Sequence, residues 1–224
     1  ILTTSSEYAG TQASISKPNS TSISTLTING TLTLRNIKLT TGGTTTTSTR
    51  SFIEVNGGTL NLEKDALLTD IIVRSGTSTA GSAGAAICLL NGSTLNIKDG
   101  SEISKCKVTG SFYGGAIAIK EGTVNMTGGL LSENYAYNGG GAIYVNAPTT
   151  SVTAAILNIS GGTISNNSAN TSGGAIYMAY GTINFTNGLI KGNTANQGGG
   201  IYLGGGIMNM SGGTIAENVG NSYG

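Results

Sequence analysis

Histidine and tryptophan are absent from these 224 residues, only 2 residues are Cys and 2 are Pro, charged residues make up 9% and aromatics 5%. Without histidine the chain lacks the usual acid–base side chain and the commonest zinc ligand, which excludes Ser-His-Asp hydrolases and zinc proteases. Cys88 and Cys106 are too few for a disulfide framework and leave the redox compartment open. Charge of neither sign dominates, with Lys+Arg 11 against Asp+Glu 10. Nucleic-acid binding wants a basic excess, so no nucleic-acid partner is expected. The longest apolar run, around Ala85 to Leu90, falls far short of a bilayer span, and no basic region followed by an apolar stretch opens the chain. No membrane-spanning segment is therefore expected within it.

What is present in abundance is glycine, at 37 residues, together with Thr, Ser and Asn. Ile, Leu and Val recur among them at regular places, which separates this composition from that of a disordered chain. The regularity is an internal repeat. The segments GGTLNL (57–62), GSTLNI (92–97), EGTVNM (121–126), AAILNI (154–159), YGTINF (180–185) and GGIMNM (205–210) align on Asn61, Asn96, Asn125, Asn158, Asn184 and Asn209. Their separations are 35, 29, 33, 26 and 25 residues, so the shortest value sets the unit and the others carry insertions, such as 146–153 and 80–84.

Nine residues after most of these asparagines stands a second landmark, apolar-x-x-Asn, ending on Asn134, Asn167, Asn193 and Asn218. Asp70 fills that place in an earlier unit, and Cys106 fills it after a one-residue insertion. A third landmark, Gly-Gly-Ala-Ile, occupies 114–117, 140–143 and 173–176, with Gly-Gly-Gly-Ile at 198–201 and Gly-Ala-Ala-Ile at 84–87. Three landmarks predict three short segments per unit.

Each segment alternates apolar and polar residues between Gly or Asn, as a half-buried strand between tight turns does, and helical spacing is absent. Asn56-Gly57, Asn91-Gly92, Asn138-Gly139 and Asn187-Gly188 are turn signals. A unit this short cannot bury its own apolar side, whereas stacked copies can. The prediction is an all-β, three-sided parallel β-helix of about seven coils, right-handed by the crossover rule, and on the order of 30 to 35 Å long at ~4.8 Å per rung. Inward positions are expected at Ile143 and Val145, Ile176 and Met178, Ile183 and Phe185, Met208 and Met210, with Ala136, Ala169 and Ala195 near a corner. Residues 1–50 read as an irregular first coil or N-terminal cap and 51–224 as repeats. The repeat pattern at Asn221 to Gly224 and the missing initiator Met suggest an excised stretch whose coils continue beyond the C-terminal end.

Gly-Gly-Ala-Ile preceded by apolar-x-x-Asn resembles the repeats of the polymorphic outer membrane protein family and related large surface proteins of bacteria and some archaea. The place of that family's Phe in Phe-x-x-Asn is taken here by Leu131, Ile164, Ile190 and Ile215. The resemblance covers roughly residues 55 to 224 and implies an extracellular, surface-displayed adhesin-like or passenger region.

Four groups of residues are candidates for function. The aligned asparagines Asn61, Asn96, Asn125, Asn158, Asn184, Asn209, Asn134, Asn167, Asn193 and Asn218 read as structural ladders, with the alternative that Thr-x-Asn rows offer a flat array to ice or glycan. Stacked amides that satisfy turn backbone are the reading adopted, since buried backbone groups must be paired. Tyr144, Tyr177 and Tyr202 occupy one outward position of successive strands, and a file of rings can bind a partner or cover the side of the coil. Asp65 and Asp99 sit beside Lys64 and Lys98 and read as a surface ion-pair row rather than converging carboxylates of a glycan-cleaving site. The cysteines are expected unpaired, and sequons such as Asn125-Met126-Thr127 arise from the repeat itself. The chain is thus expected to be non-enzymatic, without metal or cofactor. Its expected partner is a glycan or protein ligand, with self-association into a sheath or fibre as the alternative.

Overall fold

The alternation expected of half-buried strands is realised rung by rung. In Thr94-Leu95-Asn96-Ile97, Leu95 and Ile97 are fully buried while Thr94 and Asn96 stay half-exposed. The computed structural model describes residues 2–3, 13–16, 24, 26–43, 45–47, 50–74, 84–110, 112–147 and 154–223. Most of 1–25 and most of the insertions at 80–84 and 146–153 lie outside the described residues, whereas 26–47 supplies four strands, each paired in parallel with the coil that follows.

All strand pairs are parallel, and the described residues contain no helix. The first sheet stacks seven strands, Leu26–Ile28, Ile53–Asn56, Ile87–Leu90, Ile117–Ile119, Ile143–Asn146, Ile176–Tyr180 and Ile201–Leu203, most of them led by Gly-Gly-Ala-Ile or its variants. The second, of fourteen strands, holds the Thr-x-Asn segments and the apolar-x-x segments of each coil. It is one sheet because Ala155–Ser165 and Thr182–Lys191 run through both places without a break. The third stacks seven short strands that follow the corner position of each coil, among them Lys107–Thr109, Tyr135–Ala136, Ser168–Ala169 and Thr194–Gln197. Seven stacked strands delimit about six turns of a three-sided β-solenoid.

The expected three segments per unit are therefore four in most coils, distributed over three sheets. The segment after the corner asparagine carried no landmark of its own, because its single inward residue is a small one, Ala136, Ala169 or Ala195, each buried. Inside, Ile143, Val145, Ile176, Met178, Ile183 and Phe185 are fully buried as expected. Each such side chain contributes roughly 1.5–3 kcal/mol of hydrophobic stabilisation. Met208 is only half-buried and Met210 is 49% exposed, because the last described coil has a neighbour on one side only. All three phenylalanines, Phe52, Phe112 and Phe185, lie inside.

Two corners are built by backbone conformation. At the second landmark the residue before the corner position is left-handed: Asp70, Lys105, Glu133, Asn166 and Glu217 have φ of 53 to 56°. Strand register pairs Ile103 with Leu68 and with Leu131, which sets Cys106 opposite Asn134 and Ile71 opposite Cys106. Asp70 thus belongs to the left-handed position, and Ile71 takes the buried corner place assigned to Asp70 from the nine-residue count. The coil carries the same one-residue insertion as its neighbour. At the Gly-Gly corner, Gly140 is left-handed with φ 67°, and a Cβ on Gly141 would lie 2.1 Å from the carbonyl oxygen of Gly174 in the next coil.

Candidate functional site

The corner asparagines form a continuous buried ladder. Asn134, Asn167 and Asn193 are essentially inaccessible to solvent. In each, Oδ1 accepts from the coil before and Nδ2 donates to the coil after. Asn134 Oδ1 accepts from Cys106 N at 2.9 Å, while Asn134 N and Nδ2 both donate to Asn167 Oδ1 at 2.9 and 3.0 Å. Asn167 and Asn193 repeat the pattern, and it closes on Asn218 Oδ1, which accepts from Asn193 N and Nδ2 at 2.9 and 2.8 Å. The second amide proton caps a strand-end carbonyl: Ile103, Leu131, Ile164 or Ile190 in successive coils, at 3.0 to 3.1 Å. One side chain thus satisfies the backbone that the left-handed residue before it turns away from the sheet ladder.

The Thr-x-Asn residues make a second, half-exposed ladder on the outside of the broad sheet. It starts with Asn61 Nδ2 donating to Thr33 Oγ1 at 3.1 Å. Asn96, Asn125, Asn158, Asn184 and Asn209 each donate from Nδ2 to the Oδ1 of the asparagine before, at 2.8 to 3.0 Å. Both sets of asparagines are occupied with one another.

Tyr144, Tyr177 and Tyr202 share one outward column with Cys88 and Ala118, through registers Cys88–Ala118, Ala118–Tyr144, Tyr144–Tyr177 and Tyr177–Tyr202. Ring centroids are 5.4 Å apart between Tyr144 and Tyr177 and 5.3 Å between Tyr177 and Tyr202. A fourth ring, Tyr113, which sequence reasoning left out, stacks on Tyr144 at 4.5 Å and on Tyr177 at 5.4 Å. Tyr144 is consequently 5% exposed, covered by its neighbours, while Tyr177 and Tyr202 stay half-exposed. Burial and the surrounding tyrosines push the Tyr177 phenol upward. The signal for Tyr113 was the pair Phe112-Tyr113 just before Gly114: Phe112 enters the core and the next residue faces outward.

The charged row is arranged differently from the expectation. Lys98 Nζ pairs with Glu63 at 2.9 Å, and Arg35 pairs with the same carboxylate from the coil before, so Glu63 rather than Asp65 or Asp99 is its centre. Hydrogen bonds from Arg35 and then Lys98 hold the Glu63 carboxyl below the usual carboxylate range. Asp65 instead occupies a left-handed turn position, with φ 61°. Glu54, in the tyrosine column, accepts from Arg50 at 2.9 Å. Both cysteines are free and buried. Desolvation pushes each thiol up to about 12. Among the described residues, no three His, Cys, Asp or Glu side chains are placed to hold a metal ion, and no helix is long and apolar enough to cross a membrane.

Two stretches, residues 129–146 and 161–179, match the model of the Chlamydia polymorphic membrane protein repeat. The chain carries a polymorphic outer membrane protein-like repeat region. Each matched stretch of this repeat region runs from an apolar-x-x segment, through a corner asparagine of the buried ladder (Asn134 or Asn167), to the end of a Gly-Gly-Ala-Ile strand. No curated protein and no solved structure matches the chain. Polymorphic membrane protein-like repeats on a parallel β-solenoid fit a surface-associated, adhesin-like β-helix.

Proposed function

We propose that these coils are a stretch of a non-enzymatic cell-surface column that holds side faces and turn loops away from the cell and presents them to a glycan or protein ligand. The observation that carries this reading is the pair of asparagine ladders. They tie successive coils side chain to side chain along both the inside and the outside of the rod. Such a column transmits position rigidly, since backbone, core and ladder all repeat in the same register. It is nearly uncharged from residue 122 onward, where Glu133, Lys191 and Glu217 are the only charged residues.

The test is adhesion of beads coated with the purified chain to cells and to immobilised matrix, with light scattering of the free chain across a concentration series. A monodisperse chain whose beads adhere saturably supports the displayed column. Ordered fibres growing with concentration, lost in Tyr177→Ser/Tyr202→Ser, would replace it with a self-assembling surface structure.

A further inference from the structure

The third sheet has a feature that neither the ladders nor the tyrosine column uses. Its strands place one small residue inward and the flanking residues outward, so Tyr135, Ser168 and Thr194 stack in one outward column. Val219 continues that column, and Asn170, Asn196 and Asn221, two residues after Ser168, Thr194 and Val219, are all exposed. Between the columns lies a groove of about 470 Å³ lined by Tyr135, Ser168, Thr194, the three asparagines and Ala169. It exists because a large ring, Tyr135, is succeeded in the next two rungs by the short Ser168 and Thr194. The ring is held in place: Lys107 Nζ stands 4.9 Å from its centroid, and its hydroxyl donates to Asn170 Oδ1 at 3.0 Å.

We propose that this groove binds an uncharged oligosaccharide along the rod axis. Its lining contains no charged side chain, which disfavours anionic or cationic polymers, and its one aliphatic member is the small, buried Ala169, which gives a peptide no large apolar pocket to anchor in. It offers instead hydroxyls and amides, each able to donate and accept, beside one positioned aromatic ring, the combination that suits the alternating hydroxyl and C–H surfaces of a sugar. The Ser/Thr and Asn positions recur at the strand spacing of ~4.8 Å, close to the advance of one pyranose unit, so successive sugars meet equivalent groups. In the tyrosine column, by contrast, Tyr113, Tyr144 and Tyr177 pack on one another, and Tyr144 is left buried. This inference rests on the displayed-column reading and names its ligand.

The experiment is calorimetric titration of the 224-residue chain with a panel of uncharged cello-, chito-, manno- and galacto-oligosaccharides, with polygalacturonate as the charged control. Thr194→Arg fills the groove from an outward position, and Tyr135→Ala removes the ring. Saturable binding of at least one neutral oligosaccharide, weakened tenfold or more by either substitution and unchanged by Tyr177→Ala, is the expected result. Thermal unfolding of each variant close to that of the parent shows that the loss is local. No binding by any neutral member, or binding that survives both substitutions, overturns the groove. Bead adhesion run in parallel separates the two readings: adhesion kept in Thr194→Arg while oligosaccharide binding fails leaves the column standing without this ligand.

Discussion

The main-chain N–H of Asn134 and its side-chain Nδ2 both donate to the one oxygen Oδ1 of Asn167, 33 residues further along the chain, at 2.9 and 3.0 Å. Asn167 also donates to Leu131 O and to Asn193 Oδ1. Asn167→Ala takes the partner from the Asn134 main-chain N–H, from one Asn134 amide proton and from the Leu131 carbonyl, at about 1 kcal/mol or more for each group. A total loss near 3 kcal/mol is expected. Asn158→Ala, in the half-exposed ladder where water can replace the amide, should cost only about 1 kcal/mol. Urea unfolding of the two variants side by side decides it, and equal midpoints would mean that the inner ladder has no special role.

Gly141 is required by contact with the next coil rather than by its dihedral. A Cβ there meets Gly174 O at 2.1 Å and Ser168 backbone at 2.6 Å. Gly141→Ala is expected to destabilise by on the order of 3 kcal/mol, the range of substitutions that force backbone apart. Ala85 occupies the equivalent place in an earlier coil, but there the preceding Gly84, unlike Gly140, is not left-handed, so the turn takes another path. Converting Gly140 as well should abolish folding, read as loss of the far-ultraviolet β signal.

The thiols of Cys88 and Cys106 have folded values raised by burial from 9.0 to about 12. A raised folded value means stability that is whole below pH 9.0 and is lost as pH climbs from 9.0 towards about 12, because only the unfolded chain ionises there. The chain should lose more stability over that interval than Cys88→Ala/Cys106→Ala does. A parallel decline of both would exclude the thiols as the cause.

Tyr113 packs against the outer cluster that contains Cys88, Ala118 and Tyr144. Tyr113→Ala should therefore open Cys88 to iodoacetamide under native conditions while Cys106, inside the core, stays unreactive until the chain unfolds. Peptide mass mapping distinguishes the two sites, and simultaneous labelling would show global rather than local opening.

Glu63 is held below the ordinary carboxylate value by Arg35 and Lys98. The sign runs opposite to the thiols: its contribution is present above the ordinary value of 4.5 and disappears as pH falls through the depressed one. Its partners Arg35 and Lys98 are exposed, so Glu63→Gln should reduce acid stability in dilute buffer and have little effect in high salt. An equal effect at both ionic strengths would contradict a screened surface pair.

Much of the solenoid was legible because a two-residue alternation inside a 25-to-35-residue repeat admits few arrangements of parallel strands. Ile143, Val145, Ile176 and Met178 could be placed inward on alternation alone, and both sets of asparagines could be aligned by counting. Counting failed where a coil gained one residue, at Asp70, since only strand pairing reveals which of two neighbours turns the corner. It failed again for the fourth segment, whose lone inward alanine leaves too little pattern to detect.

The amino-acid sequence by itself determined the coil, its interior and its ladders, because these follow from local periodicity and from identical residues falling opposite one another. Only the tertiary structure decided what lies between coils. Tyr113 reaches across to cover Tyr144, Arg35 and Lys98 choose Glu63 over the nearby aspartates, and Ser168 and Thr194 leave a groove beside Tyr135. Each of these depends on side-chain reach and volume across rungs roughly thirty residues apart in sequence, about 4.8 Å apart in space, a closeness that linear spacing does not encode.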